Sequence, residues 1–186
     1  MRISGKCYAN PSDITDALLI GDGHHRVEVL ELTWGGESVR SAMRDWQVIA
    51  EVRTGQKGMY HATIHFAPGY RLSEGDCLIA ADELEQELDL VDQGRAVVLH
   101  DGDDGQIVHV VWCRTDSDTM EMRSAKFARR AHKNACPRIA RALAYPHIPA
   151  RRWTKPAAYM HQPLAATDRD EEPADDCEGP EPRRPK

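Results

Sequence analysis

The chain has 186 residues, of which 41% are hydrophobic and 29% are charged, and its formal net charge is −6. This length suits one domain and a tail, because a domain of about 150 residues buries roughly two thirds of its unfolded surface. No run of about eighteen apolar residues and no charged-then-apolar leader is present, so we expect a cytoplasmic protein without a membrane segment. Five scattered cysteines without a CxxC pair argue against a disulfide framework and a zinc ribbon.

The charge is distributed unevenly along the chain. Residues 1–121 contain ten Lys/Arg and twenty-two Asp/Glu, whereas residues 122–155 contain ten basic residues and no acidic residue. A positive segment of this length is typical of a surface that binds a polyanion. The alternative is a solvated helical face, but a segment without carboxylates has no internal partners for salt bridges.

The first part of the chain predicts two strands, each followed by a helix. Alternation over Arg2 to Cys7 indicates a strand, and Asn10-Pro11 supplies a cap and a first helical residue for a short helix. Arg26 to Thr33 alternates as a second strand with one polar face. Glu37 to Val52 has apolar residues at helical spacing, which predicts a second helix.

A third strand is predicted over Met59 to Phe66, because apolar and polar residues alternate strictly there. Its polar side contains His61, Thr63 and His65 and is expected to face solvent or a site. Ser73 then begins a helix with an approximate capping box.

Two apolar strands, Ala96 to Leu99 and Ile107 to Trp112, are predicted on either side of an acidic, glycine-containing turn. His100 ends the first strand, and His109 lies inside the second. Antiparallel pairing can bring the two imidazoles to one face. Neutral imidazoles beside carboxylates are ligands for a divalent metal ion.

The C-terminal third predicts a basic helix or helix pair over Thr119 to Ala144, interrupted at Pro137 because proline removes a backbone donor. Residues 151–162 form a basic and aromatic extension, which suits either nucleic-acid stacking or packing at a domain edge. Residues 163–186 are acidic and proline-rich, so we expect a disordered tail. The remaining residues, 1–150, are expected to form the folded domain.

The order of elements predicts an α+β fold, in which a largely antiparallel sheet has its helices packed on one face. The other face would then be open. Its polar strand residues would form a platform for a ligand.

A histidine, an acidic turn and a hydrophobic strand with a further histidine resemble the third motif of the mobilisation relaxases (MobA-type), conjugative-plasmid enzymes of the His-hydrophobic-His endonuclease superfamily. These relatives use three imidazoles to hold one metal ion. Here the triplet reads Ile107-Val108-His109, so one expected ligand is replaced by an apolar residue. The resemblance extends more loosely over Val27 to about Pro146.

The resemblance implies a metal site for Mg or Mn. His100 and His109 are its first candidate ligands. His61 or His65 is the candidate third nitrogen ligand. Asp101 or Asp103 is the candidate oxygen ligand.

The same resemblance implies a tyrosine that attacks a DNA phosphate and forms a covalent phosphotyrosine. Tyr8 is the first candidate for this nucleophile, and Tyr60 is the second. Counted back from the strand at Val27, the position of the nucleophilic tyrosine in the family falls nearer Ala17. The alternation of the third strand places Tyr60 on its buried side.

The implied substrate is single-stranded or locally melted DNA at a transfer origin, with accessory mobilisation proteins as further partners. The candidate DNA-binding residues are Arg129, Arg130, Lys133, Arg138, Arg141, Arg151 and Arg152. Two alternatives remain open. One is a catalytically degenerate relaxase-fold module that binds DNA without cutting it. The other is a two-histidine phosphoesterase, suggested by the pattern His61-Ala62-Thr63-Ile64.

Overall fold

The computed structural model describes residues 1–20, 26–53, 57–102 and 105–145. These residues form five strands and four helices, which confirms the predicted α+β class. The elements are, in chain order, β1 (Arg2–Tyr8), α1 (Ser12–Leu19), β2 (Arg26–Leu32), α2 (Val39–Arg53), β3 (Met59–His65), α3 (Glu74–Leu88), β4 (Arg95–Gly102), β5 (Gly105–Cys113) and α4 (Ala128–Ala142).

The five strands form one sheet in the order β1-β3-β5-β4-β2, and every neighbouring pair is antiparallel. The predicted hairpin is therefore the pair β4 and β5, and it lies inside the sheet. Strands β1 and β2 are the two edges. The register between β2 and β4 shifts at a bulge between Val29 and Glu31.

The helices cover both faces of the sheet, whereas we expected them on one face. Helices α1 and α2 pack with Val98 and Val111, and helices α3 and α4 pack with Val97 and Val110. Because neighbouring residues of a strand point to opposite sides, these two clusters lie on opposite faces. The reason is that β4 and β5 are apolar on both sides in their central part, so both faces must be shielded from water.

The predicted cap of α3 is confirmed, whereas the start of α1 differs from the prediction. The Ser73 hydroxyl accepts a hydrogen bond from the Asp76 amide, and the Asp76 carboxylate accepts one from the Ser73 amide, so the predicted capping box is confirmed. In α1 the N-cap is Pro11 rather than Asn10, and it makes no side-chain capping hydrogen bond. The Asn10 side chain lies just before the helix and accepts a hydrogen bond from the Ser12 amide at 3.1 Å.

Helix α4 differs from the prediction in two ways. It begins at Ala128 rather than near Thr119, and it continues through Pro137 without a break. Proline costs one backbone hydrogen bond, but Ala131 and Ile139 on the same helix are buried against the sheet. This packing keeps the helix continuous.

Within the described ranges, no helix is both long enough and apolar enough to cross a bilayer. The predicted extension 151–162 and the tail 163–186 lie outside the residues that the structure describes.

Candidate active site

Three histidines from the three inner strands lie side by side on the face that α1 and α2 partly cover. The ring centroids of His61 and His109 are 5.3 Å apart, and those of His109 and His100 are 4.2 Å apart. We call His61, His109 and His100 the histidine row. The expected proximity of His100 and His109 on one face is therefore confirmed.

Strand register explains why these rings meet. His109 of β5 pairs with Thr63 of β3 on one side and with Val98 of β4 on the other. His61 and His100 are each two residues from those paired positions. They are diagonal neighbours of His109 on the same face, a separation that aromatic side chains can span.

His61 and His109 are joined directly, since Nε2 of His61 lies 3.1 Å from Nδ1 of His109. One of the two nitrogens must donate the proton and the other must accept it. Burial, and to a lesser extent the neighbouring His100, lower the pKa of His61 to about 4. His61 is therefore neutral at pH 7, which is the form that binds metals.

His100 is buried, and its Nε2 atom lies 2.8 Å from the carbonyl oxygen of Leu18 in α1. A carbonyl can only accept, so Nε2 donates this hydrogen bond. In a neutral ring the proton is then on Nε2, and Nδ1 carries the lone pair. A metal-binding histidine is commonly oriented by such a second hydrogen bond.

The histidine row fits part of a divalent-metal site. Two imidazole nitrogens that each lie about 2.1 Å from one ion are about 3.0–3.4 Å apart, depending on the coordination angle. The 3.1 Å separation between His61 and His109 falls in this range. Among the described residues, however, no group of three His, Cys, Asp or Glu side chains is arranged to hold a metal ion.

The other candidate ligands are placed differently. Asp101 follows His100 on β4 and so points to the opposite face, where it forms an ion pair with Arg71. His65 lies on the same face as His61, and it pairs in register with Ile107. Asp103 lies outside the described residues.

Ile107 occupies the position where the resemblance predicts a further ligand. In register it pairs with His65 of β3 on one side and with His100 of β4 on the other. Its side chain is buried, at 8% exposure. The apolar residue therefore lies on the face of the histidine row, in the register position next to His100.

Tyr8 lies beside the histidine row, with its ring centroid 6.1 Å from that of His61. Burial, and to a lesser extent Asp13, raise the pKa of its hydroxyl. Tyr60 lies on the opposite face, where its hydroxyl is 2.9 Å from Nε2 of His132. The sheet thus separates Tyr60 from the histidine row. The alternation of polar and apolar residues along β3 predicted this placement.

The basic residues of α4 do not adjoin the histidine row, because α4 packs on the opposite face. Arg138 binds Glu83 and Glu87 of α3 at 2.6 and 3.0 Å, so its guanidinium is engaged within the protein. The remaining candidates in the described part of α4 are exposed: Arg129, Arg130, Lys133 and Arg141. Arg151 and Arg152 lie outside the described residues.

Positive charge next to the histidine row comes instead from β1, which the sequence reasoning did not assign to the site. Arg2 pairs in register with His65, and Lys6 pairs with His61, so both basic residues share the face of the histidine row. Both are exposed. A pattern in the sequence could have indicated this shared face. Arg2, Ser4, Lys6 and Tyr8 alternate strictly with smaller or apolar residues, so they lie on one side of the strand.

Comparison with known proteins gives one informative result. Residues 19–144 match the relaxase family model described as a MobA/VirD2-like nuclease domain. No curated protein and no solved structure gives a match. The matched segment covers more than half of the chain and includes the whole histidine row, while Tyr8 precedes it. The chain therefore belongs to the relaxase family and contains a MobA/VirD2-like nuclease domain, as its His100-to-His109 motif suggested.

Proposed function

We propose that this domain nicks one strand of DNA by transesterification, with Tyr8 as the nucleophile and the histidine row as the binding site for a divalent metal ion. The observation that carries the proposal is the continuous row of three imidazoles with the ring of Tyr8 6.1 Å from His61. The relaxase family supports a nicking reaction with DNA as the substrate.

In the proposed reaction the hydroxyl oxygen of Tyr8 forms a bond to the scissile phosphorus. The bond between phosphorus and the leaving deoxyribose oxygen breaks, and that oxygen takes up a proton from solvent. Tyr8 releases its own proton to solvent water. A tyrosine hydroxyl is protonated at neutral pH, and burial raises the pKa of Tyr8 further, so removal of its proton is part of the barrier.

The chain's own residues supply charge and orientation. Lys6 lies with Nζ 5.7 Å from the centroid of the Tyr8 ring, and it is a candidate contact for the scissile phosphate. Nε2 of His61 and Nδ1 of His109 are the proposed ligands for Mg or Mn, with His100 as the neighbouring third imidazole. When bound, the ion would polarise a phosphate oxygen.

A second candidate function is a relaxase-fold module that binds DNA without cutting it. Two observations favour it. Ile107 stands where the motif has a histidine, and the described residues contain no complete set of three metal ligands. This function predicts salt-dependent DNA binding without a covalent product.

The test is formation of a covalent protein–DNA product. The full chain is incubated with Mn²⁺ and a labelled pool of random-sequence single-stranded oligonucleotides, and labelled protein is detected on a denaturing gel. We expect labelling of the unmodified protein, loss of labelling in Tyr8→Phe and in His109→Ala, and retained labelling in Tyr60→Phe.

Labelling that survives in Tyr8→Phe would rule out Tyr8 as the nucleophile. Binding of the pool without labelling of any variant would support the non-catalytic function instead. Circular dichroism of each variant shows whether the fold is retained.

A further inference from the structure

The N-terminal end of α4 carries an exposed aromatic residue surrounded by positive charge. Phe127 is 75% exposed, the most exposed large apolar side chain among the described residues. A shallow cavity of about 330 Å³ is lined by Phe127 together with Lys126, Arg129, Arg130, Lys133 and Asn134. We call these six residues the α4 basic surface.

Neither packing nor capping accounts for the side chain of Phe127. It occupies the N-cap position of α4, yet no side chain there makes a capping hydrogen bond. A phenyl ring left in water forgoes the favourable free energy that burial of such a side chain contributes. An exposed aromatic ring next to cationic side chains can stack on a nucleic-acid base while the cations contact the phosphates.

The charges at this end of the helix oppose the ordinary helix preference. The first turn of α4 contains no acidic residue and includes Arg129 and Arg130. The N-terminus of a helix carries partial positive charge, so an anion bound there is stabilised. A phosphate group would be stabilised both by these side chains and by the N-terminal backbone amides.

The α4 basic surface is separate from the histidine row. The buried side of α4 packs on the sheet face opposite the histidines, and the helix also packs against the edge strand β1. Strand β1 carries the exposed residues Arg2 and Lys6 on the histidine face. A nucleic-acid strand leaving the histidine row can therefore cross the β1 edge and reach α4 along positively charged residues.

We propose that the α4 basic surface is a second binding site for single-stranded DNA, in which the ring of Phe127 stacks on a base and the neighbouring cations contact the flanking phosphates. A single strand is the fitting ligand because its bases are free to stack on an exposed ring, whereas those of a duplex are not. This proposal rests on the proposed function in one respect only, namely that the ligand is DNA. It does not depend on strand cleavage.

The first test measures binding of a fluorescein-labelled (dT) oligonucleotide of about 20 nucleotides to the full chain by fluorescence anisotropy, without divalent metal. Phe127→Ala is expected to weaken binding about tenfold, and Phe127→Trp is expected to preserve it. Val52→Ala is the matched control, since Val52 is 74% exposed on α2, and it should leave the affinity unchanged. An affinity of Phe127→Ala within about twofold of the unmodified protein would overturn the proposal.

A duplex of the same length separates stacking from charge. We expect Phe127→Ala to change duplex binding by less than about twofold, because a paired base does not stack on the ring. An equal loss for duplex and single strand would contradict the stacking contact.

The second test uses the salt dependence of binding. The double variant Arg130→Gln/Lys133→Gln should reduce the slope of log K against log salt by about 1.4, since each single-strand phosphate contact contributes about 0.7. An unchanged slope would show that these cations do not contact phosphates. Tyr8→Phe and His109→Ala should retain the Phe127-dependent binding, so a failure of nicking and a failure of this second site give different results.

Discussion

Nε2 of His61 lies 3.1 Å from Nδ1 of His109, and the planes of the two rings are within 14° of parallel. The two nitrogens share one proton in this hydrogen bond. A metal ion that binds both nitrogens must replace that proton, so metal and proton compete for the same pair. The competition gives a direct test of the proposed metal site.

We expect Mn²⁺ to raise the thermal unfolding temperature of the protein at pH 7 and to raise it less near pH 4, where His61 becomes protonated. The reason is that a ligand bound only by the folded state stabilises it, and imidazoles bind metal only when deprotonated. Differential scanning fluorimetry with and without Mn²⁺ measures the shift. His109→Ala should abolish it, and His132→Gln, on the opposite face, should not. A shift that persists in His109→Ala would place the metal elsewhere.

Ile107→His is expected to increase metal affinity. The substitution completes the triplet of the relaxase motif at a position that pairs in register with His65 and His100. A third nitrogen ligand replaces a water molecule on the ion, which should tighten Mn²⁺ binding at least about tenfold. Isothermal titration calorimetry measures the affinity. Ile107→Val, which keeps the site apolar, is the control and should bind Mn²⁺ like the unmodified protein.

The arrangement of His100 and His109 was predictable because it depends on local pattern. The two histidines belong to one hairpin, and the turn between its strands fixes their relative positions. The capping box of Ser73 and Asp76 is local in the same sense. Features that depend on a few consecutive residues therefore agree between sequence and structure.

Features that depend on distant pairing were not predictable from the sequence. The contribution of Lys6 to the site requires β1 to lie beside β3, which is more than fifty residues away in the chain. The helices were expected on one face, although the apolar run Ala96 to Leu99 already indicated a strand buried on both sides. The strand order decides which residues meet, and no local pattern encodes it.

Arg95 holds three carboxylates together at the sheet, and we expect Arg95→Leu to destabilise the protein by about 3 kcal/mol. Its guanidinium lies 2.9 Å from Glu31, 2.7 Å from Asp82 and 2.9 Å from Glu85, and its side chain is only 12% exposed. Removing the cation leaves carboxylates close together with no compensating charge. Urea denaturation followed by circular dichroism measures the free energy of unfolding.

The matched control for Arg95 is Arg26→Leu. Arg26 forms an ion pair with Glu28, but its side chain is 71% exposed. An exposed pair contributes less than about 1 kcal/mol because water screens it. Equal destabilisation by the two substitutions would show that the carboxylates around Arg95 do not depend on its charge.

Protonation of His132 should destabilise the fold in mild acid. Burial lowers the pKa of His132 from 6.5 to about 4, while its Nε2 atom lies 2.9 Å from the Tyr60 hydroxyl. Between these two pH values the unfolded chain binds a proton that the folded protein excludes. The free energy of unfolding therefore falls as the pH decreases from 6.5 to about 4, and it is insensitive to this group above pH 6.5.

The pKa values of His61 and His65 are also lowered to about 4, so each contributes in the same direction and a variant is needed to isolate His132. His132→Gln keeps a polar partner for Tyr60 but does not titrate. Urea denaturation at a series of pH values should give a slope between pH 4 and 6.5 that is smaller by up to about 1.4 kcal/mol per pH unit in this variant. Parallel curves for the two proteins would mean that His132 is protonated equally in the folded and unfolded states, and that its burial beside Tyr60 does not affect acid stability.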